Sequence, residues 1–178
     1  MKKKIIITGG LGYIGTELCK LYSGVSWHHK IVVIDNRFIS ERVNQLRNWN
    51  IEFVHGDILD KKLVEKYFED ADVVHHLAGI TDVPRTKSES SKSVDDKIKL
   101  VGELGTQNIL DIIKNDCKIV FPSTHVVYEG IGQVKKDIKE QEETKPVLSY
   151  STSKAINEKQ LKKSGKKYVI LRLGSVYG

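Results

Sequence analysis

The sequence predicts an α/β fold, a doubly wound parallel sheet with helices on both faces. Two observations carry that expectation. Six short runs rich in Ile and Val alternate with stretches of helical period, as in repeated strand–helix–strand units. The first run also passes directly into a glycine-rich turn that opens a helix, and the second run ends in an acidic residue.

The expected strands are Lys4–Thr8, Ile31–Asp35, Ile51–His55, Val73–Leu77, Lys118–Pro122 and Tyr168–Leu173. Several are apolar nearly throughout, which suits strands covered on both faces. The expected helices are Tyr13–Tyr22, Ser40–Arg47, Lys61–Phe68, Val94–Lys114 and Tyr150–Lys163, with Ser40 and Asp60 as N-caps. Two stretches, Thr81–Ser93 and Glu129–Leu148, are polar and aperiodic, and both follow strand C-termini. Ligands of open α/β sheets bind at those ends, so both stretches are read as active-site loops.

Composition narrows the function classes. The chain has 178 residues, 39% hydrophobic and 29% charged, which is the make-up of one globular domain. Its apolar runs, such as Ile5–Ile7 and Ile31–Ile34, fall far short of the roughly 20 residues that span a bilayer. The basic start Lys2–Lys4 precedes too short an apolar stretch for a signal peptide, so a cytoplasmic protein is expected. The formal charge is +6. Lys159, Lys162, Lys163, Lys166 and Lys167 cluster near a helix end without interleaved aromatics, which favours a solvated face over a nucleic-acid patch. Cys19 and Cys117 lack metal or redox spacing and are read as buried packing. The pairs His28-His29 and His75-His76 point to opposite faces on a strand, so no metal site is assigned.

The turn Thr8-Gly9-Gly10-Leu11-Gly12-Tyr13-Ile14-Gly15 has what a phosphate cradle needs: a tight turn, close backbone approach and a helix packed against a strand. The helix offers its unpaired N–H groups and dipole to an anion. Asp35 lies 20 residues after Gly15, the spacing of a ribose-binding carboxylate. A carboxylate there repels a 2′-phosphate and favours NAD over NADP, although Arg37 stands close enough to receive that phosphate. His55-Gly56-Asp57-Ile58 ends the third strand. Asp57 either accepts from an adenine amino group, with Ile58 on the ring, or caps the helix near Asp60.

Tyr150 and Lys154 are four apart on one helix face. Composition alone supplies such a pair by chance, so its weight comes from position, after Phe121-Pro122-Ser123-Thr124 and a long loop. A phenol titrates near 10, and a neighbouring ammonium and a cationic nicotinamide both favour its phenolate. Tyr150 could then remove a proton from a sugar hydroxyl as hydride leaves, with Thr124 bonded to the same oxygen.

Together these residues resemble the extended short-chain dehydrogenases/reductases of the NAD-dependent epimerase/dehydratase group, which mostly act on nucleotide sugars. The matching pieces run the length of the chain. They are the glycine turn, Asp35-Asn36, Gly56-Asp57-Ile58, His76-Leu77-Ala78-Gly79 and Gly105-Thr106-Gln107-Asn108-Ile109-Leu110. Ser123-Thr124-His125-Val126-Val127-Tyr128, Tyr150-Ser151-Thr152-Ser153-Lys154 and Leu171-Arg172-Leu173-Gly174-Ser175-Val176-Tyr177-Gly178 complete them.

The resemblance implies a Rossmann-type domain over residues 1–178 that binds NAD, with the family's C-terminal substrate-binding lobe absent from this chain. It implies that Gly9, Gly12 and Gly15 cradle the pyrophosphate, that Asp35 holds the adenosine ribose, and that Tyr13, Ile14 and Asn36 also bind the cofactor. Asp57 and Ile58 would meet adenine, and Leu77, Ala78 and Gly79 would line the cofactor. Thr124, Tyr150 and Lys154 would be catalytic, the last two also touching the cofactor. Thr81, Arg85 and Thr124 would meet the substrate. It further implies a homodimer through Val94–Lys114 and Tyr150–Lys163. The other readings are a non-catalytic cofactor-binding regulatory protein, an inactive fragment of such an enzyme, and a nucleic-acid binder.

Three departures stand out. Dehydratases of the family carry Asp-Glu after the catalytic Thr, where this chain has His125-Val126, so 4,6-dehydration is disfavoured. Gly102 replaces an Asn that often precedes the Gly-Thr pair. Where many members have Gly after Val-Tyr, this chain has Glu129 and then Gly130.

Overall fold

The computed structural model describes residues 2–81, 86, 89–132 and 137–177. Six parallel strands form one sheet: β1 (Lys4–Thr8), β2 (Lys30–Asp35), β3 (Glu52–His55), β4 (Val73–His76), β5 (Lys118–Thr124) and β6 (Lys167–Leu173). Their order is β3-β2-β1-β4-β5-β6. The winding reverses between β1 and β4, and that reversal opens a crevice at their C-terminal ends.

Alternation along each strand divides the core. Ile6, Val32, Ile34 and Val74 face one side, with Val64 and Phe68 of α3 (Lys61–Phe68) and Ile109 of α5 (Gly105–Ile112). Ile5, Ile7, Ile31 and Val33 face the other, with Cys19 of α1 (Tyr13–Ser23) and Val43 and Leu46 of α2 (Ser40–Asn48). Helices therefore cover both faces, as expected of a doubly wound sheet. Both cysteines are buried thiols. The adjacent histidines diverge: His75 bonds Tyr22 of α1 at 2.7 Å, while His76 bonds Thr106 of α5 at 3.0 Å. Among the described residues no helix is long and apolar enough to cross a membrane, and no cluster of His, Cys, Asp or Glu could hold a metal ion.

Two details correct the sequence reading. Asp60 caps α3, accepting from the Lys62 and Leu63 amides, but Ser40 does not cap α2. Ile39 occupies the N-cap position, and its side chain packs on the core, so an apolar contact sets where α2 starts. The expected helix Val94–Lys114 is instead α4 (Lys92–Lys99), a π-helical turn Leu100–Leu104 and α5. The widened turn has partners on α6 (Ser149–Lys163), where Asn157 Nδ2 donates to Gly102 O at 3.0 Å and Gln160 Nε2 to Glu103 O at 3.0 Å. A Cβ on Gly102 would stand 2.2 Å from Ser153 Oγ of α6.

Gly102→Val should therefore part α6 from the π turn and lower Tm by roughly 5 °C. Thermal unfolding measures this, and an unchanged Tm would contradict the close packing.

Candidate active site

The crevice between β1 and β4 is shaped by two glycines. Gly9 has φ +66°, and a Cβ there would lie 2.8–2.9 Å from the backbone of Leu77 and Ala78. A Cβ on Gly15 would stand 2.5 Å from Gly9 O, so α1 can begin only where glycine permits it. Gly12 occupies the N-cap of α1 without a side-chain cap, so the first turn of the helix keeps donors for an anion. Tyr13 and Ile14 are exposed on that turn.

The opposite wall is the segment after β4. Ala78 N donates to Thr8 Oγ1 at 3.0 Å, which is itself 2.9 Å from His76 Nδ1. His76 Nε2 reaches Thr106 Oγ1, so β1, β4 and α5 share one buried polar chain. Burial, with help from the Lys154 charge, pushes His76 down to about 3, so its ring is neutral near pH 7. Leu77 and Ala78 are half-buried, and Gly79 and Thr81 are exposed beyond them. Arg85 lies outside the described residues.

At the far wall Asp35 is buried, with its carboxylate engaged. Oδ2 accepts from Leu11 N at 3.0 Å, and Oδ1 from Arg37 N at 3.0 Å. The Arg37 guanidinium adds bonds of 3.2 and 3.3 Å. The sequence placed Arg37 as an alternative phosphate ligand; in the structure it is paired with Asp35. Asn36 Nδ2 donates to Asp57 Oδ2 at 3.0 Å, while Asp57 Oδ1 accepts from Leu59 N. Asp57 thus forms a local turn, and capping of α3 falls to Asp60. The Ile58 side chain is 4% exposed and packs in the core, where a Cβ on Gly105 would meet its Cδ1 at 2.4 Å. Asn108 Nδ2 holds the Ile58 carbonyl at 3.1 Å.

Lys154 of α6 meets the end of β5, where Thr124 is the last residue, and Tyr150 stands beside Lys154. Pro122 lacks an N–H, and it sits where β4 has already ended and only β6 still pairs. Its carbonyl accepts from Lys154 Nζ at 2.9 Å, which ties α6 to the strand two residues before Thr124. The ammonium lies 4.5 Å from the Phe121 ring centroid and 5.9 Å from that of Tyr150. Desolvation lowers Lys154 from 10.5 to about 8. The sequence led us to expect a depressed Tyr150 phenol, but the chain's own groups do the opposite, and burial pushes it up. Thr124 is 8% exposed, and its Oγ1 accepts from Val126 N at 3.3 Å, leaving the hydroxyl proton for donation.

Sequence reasoning missed a second polar system behind this one. Glu158 of α6 is 2% exposed. It accepts from Ser123 Oγ at 2.6 Å and from Arg172 Nε and Nη2 of β6 at 2.9 and 2.6 Å. Arg172 continues to Tyr128 OH and to Glu140 O. Spacing contains a partial signal, because Glu158 follows Lys154 by one helical turn on the same face. A cleft of about 490 Å³ opens beside Thr124, lined by His125, Val126, Tyr128, Glu129, Ile138, Glu140 and Arg172.

Comparisons with known proteins identify the family and the fold. The family model "NAD dependent epimerase/dehydratase family" matches residues 5–178. A putative UDP-glucose 4-epimerase of Methanocaldococcus jannaschii is 35% identical over 183 residues, covering 98% of this chain and 56% of the relative. A dTDP-D-glucose 4,6-dehydratase of Dictyostelium discoideum is 30% identical over 197 residues, covering 99% and 44%. The structure of a Bacillus cereus UDP-glucuronic acid 4-epimerase, in complex with UDP-glucuronic acid and NAD, superposes with TM-score 0.79. It has 29% identity and covers 98% of this chain and 57% of that one. The chain thus spans about half the length of the relatives it matches.

Between pH 8 and 10.5 the unfolded chain binds more protons at Lys154 than the folded chain, so stability should rise with pH across that window. Lys154→Met should abolish that rise and increase Tm near pH 7 by roughly 5 °C. Thermal unfolding at pH 7 and 9.5 reads both effects, and equal Tm values for variant and parent at both pH values would contradict the desolvation.

Proposed function

Because the chain belongs to the NAD dependent epimerase/dehydratase family, we propose that it forms the cofactor-binding and catalytic part of an NAD-dependent nucleotide-sugar epimerase or related oxidoreductase. The observation that carries this reading is Lys154 Nζ bonded to Pro122 O, two residues before Thr124, with the Tyr150 ring 5.9 Å from the ammonium, beside a turn that needs glycine at 9 and 15.

The residues present fit NAD. The Gly9–Gly15 turn and the N-terminus of α1 would hold the pyrophosphate. Asp35 would hold the ribose hydroxyls once the Arg37 side chain, 56% exposed, swings off it. Asn36 and Asp57 would face the adenosine, with the Ile58 backbone at the adenine edge. Leu77, Ala78 and Gly79 would line the other wall. When bound, NAD accepts a hydride from a sugar carbon and later returns it.

The chain's own residues handle the proton. Tyr150 removes it from the sugar hydroxyl, and Thr124 donates to the same oxygen. Lys154 holds the nicotinamide ribose and favours the phenolate, as the cationic ring also does, against the upward push of burial. Thr81 and Arg85 are assigned to the substrate side. His125 and Val126 stand where the family's dehydratases carry the Asp-Glu acid and base pair, so 4,6-dehydration is not proposed, although a dehydratase is among the relatives. A homodimer is proposed through the α4–α5 face, where Leu100 and Leu104 are 48% and 43% exposed one turn apart. A monomer mass in sedimentation would contradict it.

Tyr150→Phe should reduce hydride transfer at least 100-fold while leaving NAD bound. The assay is absorbance of reduced cofactor after a UDP- or dTDP-sugar is added to the protein that carries this chain, and near-parental turnover would overturn the mechanism. Arg37→Ala should release Asp35 and remove a neighbouring guanidinium suited to a 2′-phosphate. The NAD-over-NADP preference should then rise roughly tenfold in a titration of both cofactors; a fall in that preference would contradict the Asp35 assignment.

A further inference from the structure

We propose that Glu129 is a positioning residue for α6, capping its N-terminus from outside the helix and fixing the turn that carries Tyr150. The proposal rests on the reading of Tyr150 as the base.

The helix begins without a local cap. Leu148 stands at the N-cap position and has no side-chain acceptor to offer, and Ser149 comes one residue too late. The acceptor comes instead from about 20 residues upstream in the chain. Glu129 Oε1 accepts from Val147 N and Leu148 N, each at 2.7 Å, and Ser151 Oγ stands within bonding reach of it. A carboxylate here meets the N-cap amide of Leu148, the Val147 amide just before it, and the positive end of the helix dipole. Burial opposes its charge, but the hydrogen bonds from Ser151, Leu148 and Val147 outweigh it and hold Glu129 below its ordinary value. It is therefore ionised throughout the neutral range.

The residue after Glu129 makes the reach possible. Gly130 N donates to Lys145 O at 2.8 Å, and Lys145 N donates to Val127 O at 2.8 Å. A Cβ on Gly130 would lie 2.6 Å from Lys145 O, so this ladder closes only with glycine at 130. Closing it sets Glu129 opposite residues 147 and 148. Here the close approach falls at Gly130, and the residue before it is free to carry an acidic side chain.

The rest of α6 is anchored separately. Lys154 is tied to Pro122 O, and Glu158 to Ser123 and Arg172. Tyr150 lies in the first turn, ahead of both anchors, where the cap and the Ser149–Asp95 hydrogen bond hold the chain. Loss of the cap should therefore displace the phenol while leaving the Lys154 contact with the cofactor ribose in place.

The test compares Glu129→Ala and Glu129→Gln in the NAD-loaded protein that carries this chain, by hydrogen exchange of residues 147–151, NAD titration and single-turnover hydride transfer. Glu129→Ala is expected to speed exchange of those amides roughly tenfold and to slow hydride transfer 10- to 100-fold, with NAD affinity held within about twofold. Glu129→Gln, whose Oε1 still accepts, should recover most of both losses. Unchanged exchange in Glu129→Ala overturns the cap. Faster exchange with parental hydride transfer overturns the positioning role, as does a Gln variant as slow as the Ala one. If the parent protein takes hydride from none of the nucleotide sugars supplied, the functional reading fails and the positioning role with it, while exchange alone still decides whether Glu129 caps the helix.

Discussion

The approach of Gly9 to the Leu77–Ala78 backbone is the contact on which the site depends. It lies where the sheet winding reverses, and the space there is too small for a Cβ. With no side chain between them, the ends of β1 and β4 lie close enough for Thr8 to bond Ala78 N, and for His76 to reach both Thr8 and Thr106. The crevice wall is thus fixed by directional bonds from neutral groups. A charged histidine in that place would face a desolvated Lys154 ammonium nearby, and burial keeps the ring neutral. The same enclosure that makes Lys154 costly to keep charged makes its field strong where a phenolate would form.

α6 is positioned by polar bonds more than by apolar packing. Its buried residues are mostly small or polar: Ser151, Ser153, Ala155, Asn157 and Glu158, with Leu161 the large apolar one. Asn157 and Gln160 grip the π turn, Lys154 grips β5, and Glu158 joins Ser123 to Arg172. Hydrogen bonds set orientation within narrow limits, whereas apolar contacts tolerate sliding. A helix proposed to present a base to a substrate oxygen benefits from that restriction. The buried Glu158–Arg172 pair makes this arrangement demanding, since losing one partner strands the other, at a typical cost of about 3–5 kcal/mol.

The strands were legible in the sequence because they are covered on both faces. Runs such as Ile31–Ile34 are apolar throughout, and the structure moves strand ends by two residues at most. The glycine turn was legible because Gly9 and Gly15 answer to local backbone geometry. What stayed hidden depends on contacts between distant residues. The helical period carries straight through Leu100–Leu104, and only α6 side chains reveal why the turn there widens. Ser40 had the chemistry of a cap, yet Ile39 packing set the boundary. Asp35 was found by its spacing, but its pairing with Arg37 was not, because a residue two positions on can either face away or fold back. Glu129 was visible only as a departure; its partners lie 18 to 22 residues further along the chain.

The central claim is that this site moves a hydride between a sugar carbon and NAD while Tyr150 holds the proton. The most direct measurement supplies the NAD-loaded protein with a nucleotide sugar deuterated on its ring carbons and determines the mass of the cofactor after quenching. The account predicts deuterium in the reduced cofactor during turnover. Cofactor that stays unlabelled while the sugar is converted would contradict it.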